Sequence, residues 1–267
     1  MISLICDTGI GTAGGKSGFF FLRHLSRAAI ILYYSVVLDV IYPRNCVRCG
    51  AVSPEPMRYI CWDCLADMPN VEAPFCERCG DPVAGDVQHD YTCFACSRKT
   101  PDFDLARSAV RYEGAVGEAL RALKYDHALW VADDLAELLF ACVRAEYSSL
   151  TFDVVTSVPL HSARRRARGF NQSALLGRLL ARRIKCLYRE KSVRRIRPTV
   201  TQTGLTAPQR TANVFGAFRA GIFSRLNGKR ILVVDDVMTT GATVNACAAA
   251  LKKGGAASVH VVTVARG

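Results

Sequence analysis

Ile231-Leu232-Val233-Val234-Asp235-Asp236-Val237-Met238-Thr239-Thr240-Gly241-Ala242-Thr243 decides how this chain folds. Four large apolar residues without alternation predict a strand buried on both faces, which is the habit of parallel sheets. Asp235 and Asp236 then fall where the strand emerges, and open α/β sheets bind their ligands at the carboxyl ends of strands. Thr239 to Thr243 read as a short loop in which Gly241 supplies a positive φ and room for a ligand. Hydroxyls and backbone N–H groups there can wrap an anion. A helix follows, with Val244, Cys247, Ala248 and Leu251 on one stripe, Lys252 and Lys253 in its last turn and Gly254 to end it. An anion in the loop therefore also faces the positive end of a helix.

Such a site asks for a ligand with a phosphate and, close by, hydroxyls or a metal for the carboxylates. A sugar phosphate fits. The stretch resembles the phosphoribosyl-pyrophosphate (PRPP) motif of type I phosphoribosyltransferases. The resemblance implies that Asp235 and Asp236 face the ribose hydroxyls in the catalytic site. It also implies that Thr239, Thr240, Gly241, Ala242 and Thr243 cradle the 5-phosphate, with Mg²⁺ accompanying PRPP. The same strand also opens receiver domains, where paired acids bind Mg²⁺. There it comes first and most of the domain follows, whereas here it lies near Gly267 and runs into a Thr-Thr-Gly loop with no receiver counterpart.

At 267 residues and 50% hydrophobic, the chain is long enough to bury a core and to form one or two domains. Its formal charge of +12 favours polyanionic company, although a basic surface without a partner has the same composition. Near the start, Gly9 to Ser17 imitates a phosphate-binding P-loop, but Ile10 stands where the pattern needs glycine. Residues 1–27 read as a flexible extension. Leu25 to Tyr42 is apolar, and its uncharged run from Ala28 to Leu38 falls well short of the roughly 20 residues a membrane span needs. With no small-residue cleavage site after it, the segment is expected to be a helix packed on the chain's own core, not a signal peptide or a stable span.

Four Cys-x-x-Cys pairs follow: Cys46/Cys49, Cys61/Cys64, Cys76/Cys79 and Cys93/Cys96. They form a repeat, because Cys46-Val-Arg-Cys-Gly50 matches Cys76-Glu-Arg-Cys-Gly80 and Cys61-Trp-Asp-Cys64 matches Cys93-Phe-Ala-Cys96. Each pair presents two thiolates from one knuckle, and two knuckles complete a tetrahedron around Zn²⁺. Two structural zinc sites are predicted, paired in sequence order, with Gly50 and Gly80 in the left-handed conformation. Redox dithiols are the rival, but a thioredoxin-like motif occurs once, in a βαβ setting. Cys6, Cys142, Cys186 and Cys247 are expected to be ordinary buried small residues. Zinc-bound thiolates imply a reducing, cytoplasmic location.

From Pro101 onward, strands alternate with helices: a strand over Ala106–Tyr112, helices over Ala115–Lys124 and Leu129–Tyr147, then a buried strand over Phe152–Pro159. That order predicts a parallel sheet. Arg164, Arg165, Arg166 and Arg168 then follow a strand end, so they stand on the surface where an anion can meet them or where water simply solvates them. His161 beside them reads as structural. Arg195 to Leu205 lacks apolar periodicity and reads as a mobile loop, with Arg210 and Asn213 on a following short helix that holds it closed.

Together, the Pro159-to-Gln172 segment, Thr201-Gln-Thr-Gly-Leu205 and the Asp235 stretch, behind a cysteine-rich module, resemble the ComF/GntX family of competence-associated proteins. The likeness runs from about residue 28 to the end. It implies a Rossmann-like phosphoribosyltransferase domain at 101–267 behind an apolar helix and double zinc ribbon at 28–100. It also implies that Arg164 and Arg168 grip pyrophosphate, that Gln202 lies in the loop closing over PRPP, and that the ribbon module is the hood for the acceptor. A link to DNA uptake follows, with single-stranded DNA or helicase machinery as partners. Trp62, Phe75 and Phe94 are available to stack on bases.

Overall fold

The computed structural model describes residues 44–53, 59–83, 85, 87, 90–199, 204, 206–221 and 225–267. The extension at 1–27, the apolar segment up to Tyr42, Cys6 and Gln202 lie outside these residues. Strand β5 (Arg230–Met238) is the middle of the structure. Leu232 and Val234 enter one buried cluster, and Ile231 and Val233 enter another on the opposite face. Both faces are covered, which is why no polar residue interrupts the run. Strands β1 (Leu105–Arg111), β2 (Val154–Ser157) and β6 (Ser258–Arg266) complete a wholly parallel sheet in the order β1-β6-β5-β2.

One face is covered by α3 (Gly114–Tyr125), α4 (Ala132–Glu146) and α6 (Gln172–Arg183), and the other by α8 (Ala242–Lys253). The remaining helices are α1 (Trp62–Ala66), α2 (Phe94–Arg98), α5 (Ser162–Arg168) and α7 (Ala207–Val214). The long helix expected from Leu129 begins as a 3-10 turn over Leu129–Val131 before α4. Part of the segment expected as a loop from Arg195 is ordered. Strand β3 (Val193–Arg195) pairs antiparallel with β4 (Phe218–Ala220), and strands this short leave no periodicity to read. Cys142 and Cys247 are buried as expected, whereas Cys186 is half-buried and its Sγ donates to the Phe152 carbonyl.

The ribbons divide between the two faces. Cys46, Cys61 and Cys64 join the cluster of α3 and α4, while Cys76, Cys79, Cys93 and Cys96 join that of α8. The chain between them and the first knuckle of the second ribbon cover the outer edge of β1, where Asn70 bridges Val110 and Ala106 N donates to Arg78 O. An unpaired sheet edge is thereby closed. Gly80 makes this possible: it holds φ at 65°, and a Cβ there would meet Ala106 O at 2.9 Å.

Asp134 pins the first ribbon, accepting the backbone N–H groups of Tyr59 at 2.7 Å and Ile60 at 3.0 Å. Asp134→Ala leaves two donors without that acceptor in a largely dry interface. It is expected to cost roughly 2–4 kcal/mol, read as a lower urea midpoint.

Candidate functional site

Strands β5 and β6 run past β2, whose last pair is Ser157 with Val234. Asp235 and Asp236 therefore lie inside β5, not beyond it, but at the carboxyl edge where β2 has already turned away. Both are buried, each 7% exposed. Asp235 Oδ1 accepts from Ser173 Oγ at 2.7 Å and from the Asp236 backbone N–H at 3.0 Å. Asp236 Oδ2 lies 2.5 Å from Lys124 Nζ and accepts from Gln172 Nε2 at 3.5 Å. Burial, then the adjacent Asp236 charge, pushes Asp235 well above the usual carboxylate range. Burial opposes the charge on Asp236 too, but the Lys124 ammonium outweighs it and holds Asp236 below that range.

The loop after β5 turns on Gly241, whose φ of 74° is left-handed and whose added Cβ would meet Met238 Cε at 2.8 Å. Gly241 is also the N-cap of α8 and has no side chain to cap it. The Ala242 N–H donates to Thr240 Oγ1 at a long 3.5 Å, and the backbone donors that open the helix face the loop. Arg210 Nη1 donates to Thr239 Oγ1 at 2.7 Å, bringing a cation to the rim. Arg210 was expected to brace the 195–205 segment. Arg210 reaches the phosphate-type loop, and the end of α7 also holds the described start of that segment, because Arg197 donates to the carbonyls of Asn213 and Phe215.

The arginine run forms α5. His161 caps it, Nδ1 accepting from Ala163 N at 3.4 Å, which is the structural role read from the sequence. Gly169 ends it with a φ of 81°, and Asn171 starts α6 while tying Nδ2 to Val158 O. Arg168 then donates to Gln172 Oε1 at 2.8 Å and lies over the Tyr125 ring. A chain of contacts therefore runs Arg168–Gln172–Asp236–Lys124. Arg165 turns aside to Glu190. Arg195 is partly buried over Phe218, and its charge is felt by Asp235 and Arg164. The structure thus gathers Asp235, Asp236, Arg168 and the 239–243 loop at one end of the sheet. Arg164 stands on the same short helix as Arg168. Lys124, Ser173, Gln172 and Arg195 were not singled out as site residues, because a helix-end lysine, a cap-following serine and one arginine in a basic run carry no distinguishing pattern.

The cysteines form two clusters, Cys46/Cys49/Cys61/Cys64 and Cys76/Cys79/Cys93/Cys96, each with its sulfurs within 4.8 Å of one another. Cys49 and Cys61 lie 3.6 Å apart and Cys79 and Cys93 3.7 Å apart. A tetrahedron of thiolates at zinc bonding distance has edges of about 3.8 Å, which both clusters approach. Burial and neighbouring thiols push Cys64 and Cys79 up to about 12, a crowding that a divalent cation relieves. Gly50 and Gly80 adopt φ of 73° and 65°, as the knuckles require.

A cavity of about 910 Å³ is lined by Ala95 and Lys99 beside the second ribbon, by Arg210 and by Thr240 and Ala242 of the loop. Of the three aromatics considered for base stacking, Trp62 (52%) and Phe94 (74%) are exposed, whereas Phe75 lies under Arg107. Among the described residues no helix is long and apolar enough to cross a membrane.

Family models match the chain in two places: a double zinc ribbon domain over residues 37–98 and a phosphoribosyl transferase domain over 171–267. Competence protein F of Haemophilus influenzae is 28% identical, covering 83% of this chain and 96% of that protein. The DNA utilization protein YhgH of Salmonella typhimurium is 35% identical, covering 72% and 83%. Competence protein ComFC of Bacillus subtilis is 26% identical, covering 79% and 86%. Among solved structures, a glutamine PRPP amidotransferase from B. subtilis is 24% identical over 49% of this chain and 25% of that one, at a TM-score of 0.33.

Proposed function

Because this chain belongs to the ComF family of competence and DNA utilization proteins, with a zinc-ribbon module joined to a phosphoribosyltransferase fold, we propose that it binds PRPP and transfers the phosphoribosyl group to an acceptor. The observation that carries the reading is one juxtaposition. A buried acid pair, a left-handed Gly241 loop opening on a helix N-terminus, and Arg168 hydrogen-bonded towards the same acids meet at one sheet end.

Asp235 and Asp236 take the ribose hydroxyls, Thr239 to Thr243 the 5-phosphate, and Arg164 and Arg168 the pyrophosphate, for which Arg offers forked donors. The bond from C1 to the pyrophosphate oxygen breaks with its electron pair leaving on pyrophosphate, and the acceptor atom bonds to C1. Mg²⁺ bound with PRPP would neutralise the departing pyrophosphate. The 195–205 segment, Gln202 included, closes over the centre and excludes water from it. The ribbon module at 28–100 acts as the hood, and its second ribbon lines the cavity beside the loop. Thiolate-held zinc suits a reducing cytoplasm, where the DNA-uptake or helicase machinery would be met.

A second reading is a non-catalytic accessory protein that binds single-stranded DNA and uses the PRPP site as a sensor or phosphate clamp. It is favoured by the exposed Trp62, Phe94 and Phe215 on a strongly basic chain. The discriminating experiment measures pyrophosphate release from PRPP against a panel of free bases, with and without single-stranded DNA. Release that rises with one acceptor is the expected result. No release with any acceptor, together with salt-sensitive oligonucleotide binding, would replace the transferase by the sensor.

A further inference from the structure

Lys124, in the last turn of α3, reaches into the acid pair. Its Nζ lies 2.5 Å from Asp236 Oδ2, with the two side chains 16% and 9% exposed. A lysine this dry survives charged only against a partner. Burial works to lower its pKa, but Asp236 reverses the balance and raises it. The other described groups facing Asp236 are Asp235 on β5 and the neutral Gln172 on α6, with Arg168 reaching it only through Gln172.

A ribose diol needs carboxylate oxygens as acceptors. Two buried carboxylates side by side cannot both stay ionised without a cation, and a protonated one loses acceptor capacity. Ordinarily a divalent metal meets that need. Here an ammonium already does, and only one of its three N–H donors is needed for Asp236.

We propose that Lys124 is the resident cation of the sugar-phosphate site, neutralising the Asp235–Asp236 pair so that the ribose is held without a divalent metal on the aspartates. The inference rests on the PRPP reading above and refines it: Mg²⁺ travels with the pyrophosphate, and the acid pair does not call on it. Lys124 is in this sense a positioning and specificity residue.

The test uses ribose 5-phosphate, which lacks pyrophosphate, in calorimetric titrations of the zinc-loaded full chain in magnesium-free buffer and again with Mg²⁺. Magnesium is omitted, not chelated, because a chelator would strip the ribbons. Wild-type affinity is expected to be the same in both buffers. Lys124→Met is expected to bind about tenfold or more weakly without Mg²⁺ and to regain most of that when Mg²⁺ is added. Lys124→Met also strands Asp236 as a buried charge, so a Lys124→Met/Asp236→Asn variant accompanies it. It should recover the melting temperature but not the affinity, which separates positioning from folding.

Wild-type protein that needs Mg²⁺ as much as the variant does would overturn the proposal. So would Lys124→Met binding as tightly as wild type, or more tightly, without metal, since Lys124 would then be a bystander or a plug. If wild type binds neither ribose 5-phosphate nor PRPP in either buffer, the sugar-phosphate reading itself fails, and that outcome is distinct because no variant is needed to see it.

Discussion

Asp235→Ala combined with Asp236→Ala is expected to abolish the rise in melting temperature that PRPP with Mg²⁺ gives the wild-type protein. A ligand that binds only the folded state stabilises it by mass action, about 2.7 kcal/mol at a hundredfold excess over Kd. For a unit of this size that is a shift of roughly 5–10 °C. Both acids lie at the same sheet end as the Gly241 loop, so removing them deletes the carboxylate pair assigned to the ribose. The structure adds a complication that the sequence did not carry. The double variant leaves Lys124 buried without Asp236, and an unpartnered buried charge costs about 3–5 kcal/mol. The unliganded variant should therefore melt lower than wild type. The quantity to read is the ligand-induced shift, and adding Lys124→Met should restore part of the baseline without restoring the shift. A shift that persists in the double variant would mean that the carboxylates do not touch the ligand.

Metal loss should have a comparably large effect. Protein purified without chelators is expected to carry close to two zinc ions per chain, and Cys79→Ser to lower that to one while unfolding the second ribbon. Structural zinc contributes apparent binding energies of about 10–16 kcal/mol in isolated fingers, and that energy is folding energy. The consequence reaches beyond the ribbon. Arg266 at the end of β6 donates to Cys79 O at 3.3 Å and to Asp81 at 2.6 Å, so a collapsed ribbon loosens the strand beside β5 and opens the cavity wall. The two sites should also differ in rate. Cys49 is exposed in the first cluster, whereas all four cysteines of the second are buried. Timed chelation should release zinc in two phases, with Cys46→Ser protein lacking the faster one. Metal analysis that finds no zinc in wild-type protein would remove the basis of both expectations.

Three features of this protein were readable from residues close together in the chain. Ile231 to Val234 implied a strand covered on both faces, because water tolerates no such run on either side. Cys-x-x-Cys spacing implied the two clusters and their sequential pairing, because a knuckle presents both thiolates before any tertiary contact forms. Gly50, Gly80 and Gly241 marked positive φ, which is a property of the single residue. Each signal is local: periodicity, ligand spacing or backbone freedom within a few positions.

What surrounds the acids was not readable in that way. Ser173 meets Asp235 across 62 positions and Gln172 meets Asp236 across 64, and Lys124 arrives from a different helix altogether. The short β3–β4 pair, the division of the ribbons between the two faces and the contact of Arg210 with Thr239 are of the same kind. Only the crossover connections of the sheet bring such residues together. The electrostatics of the acid pair are likewise a product of tertiary structure, because burial raises the cost of two like charges and a lysine distant in sequence offsets it.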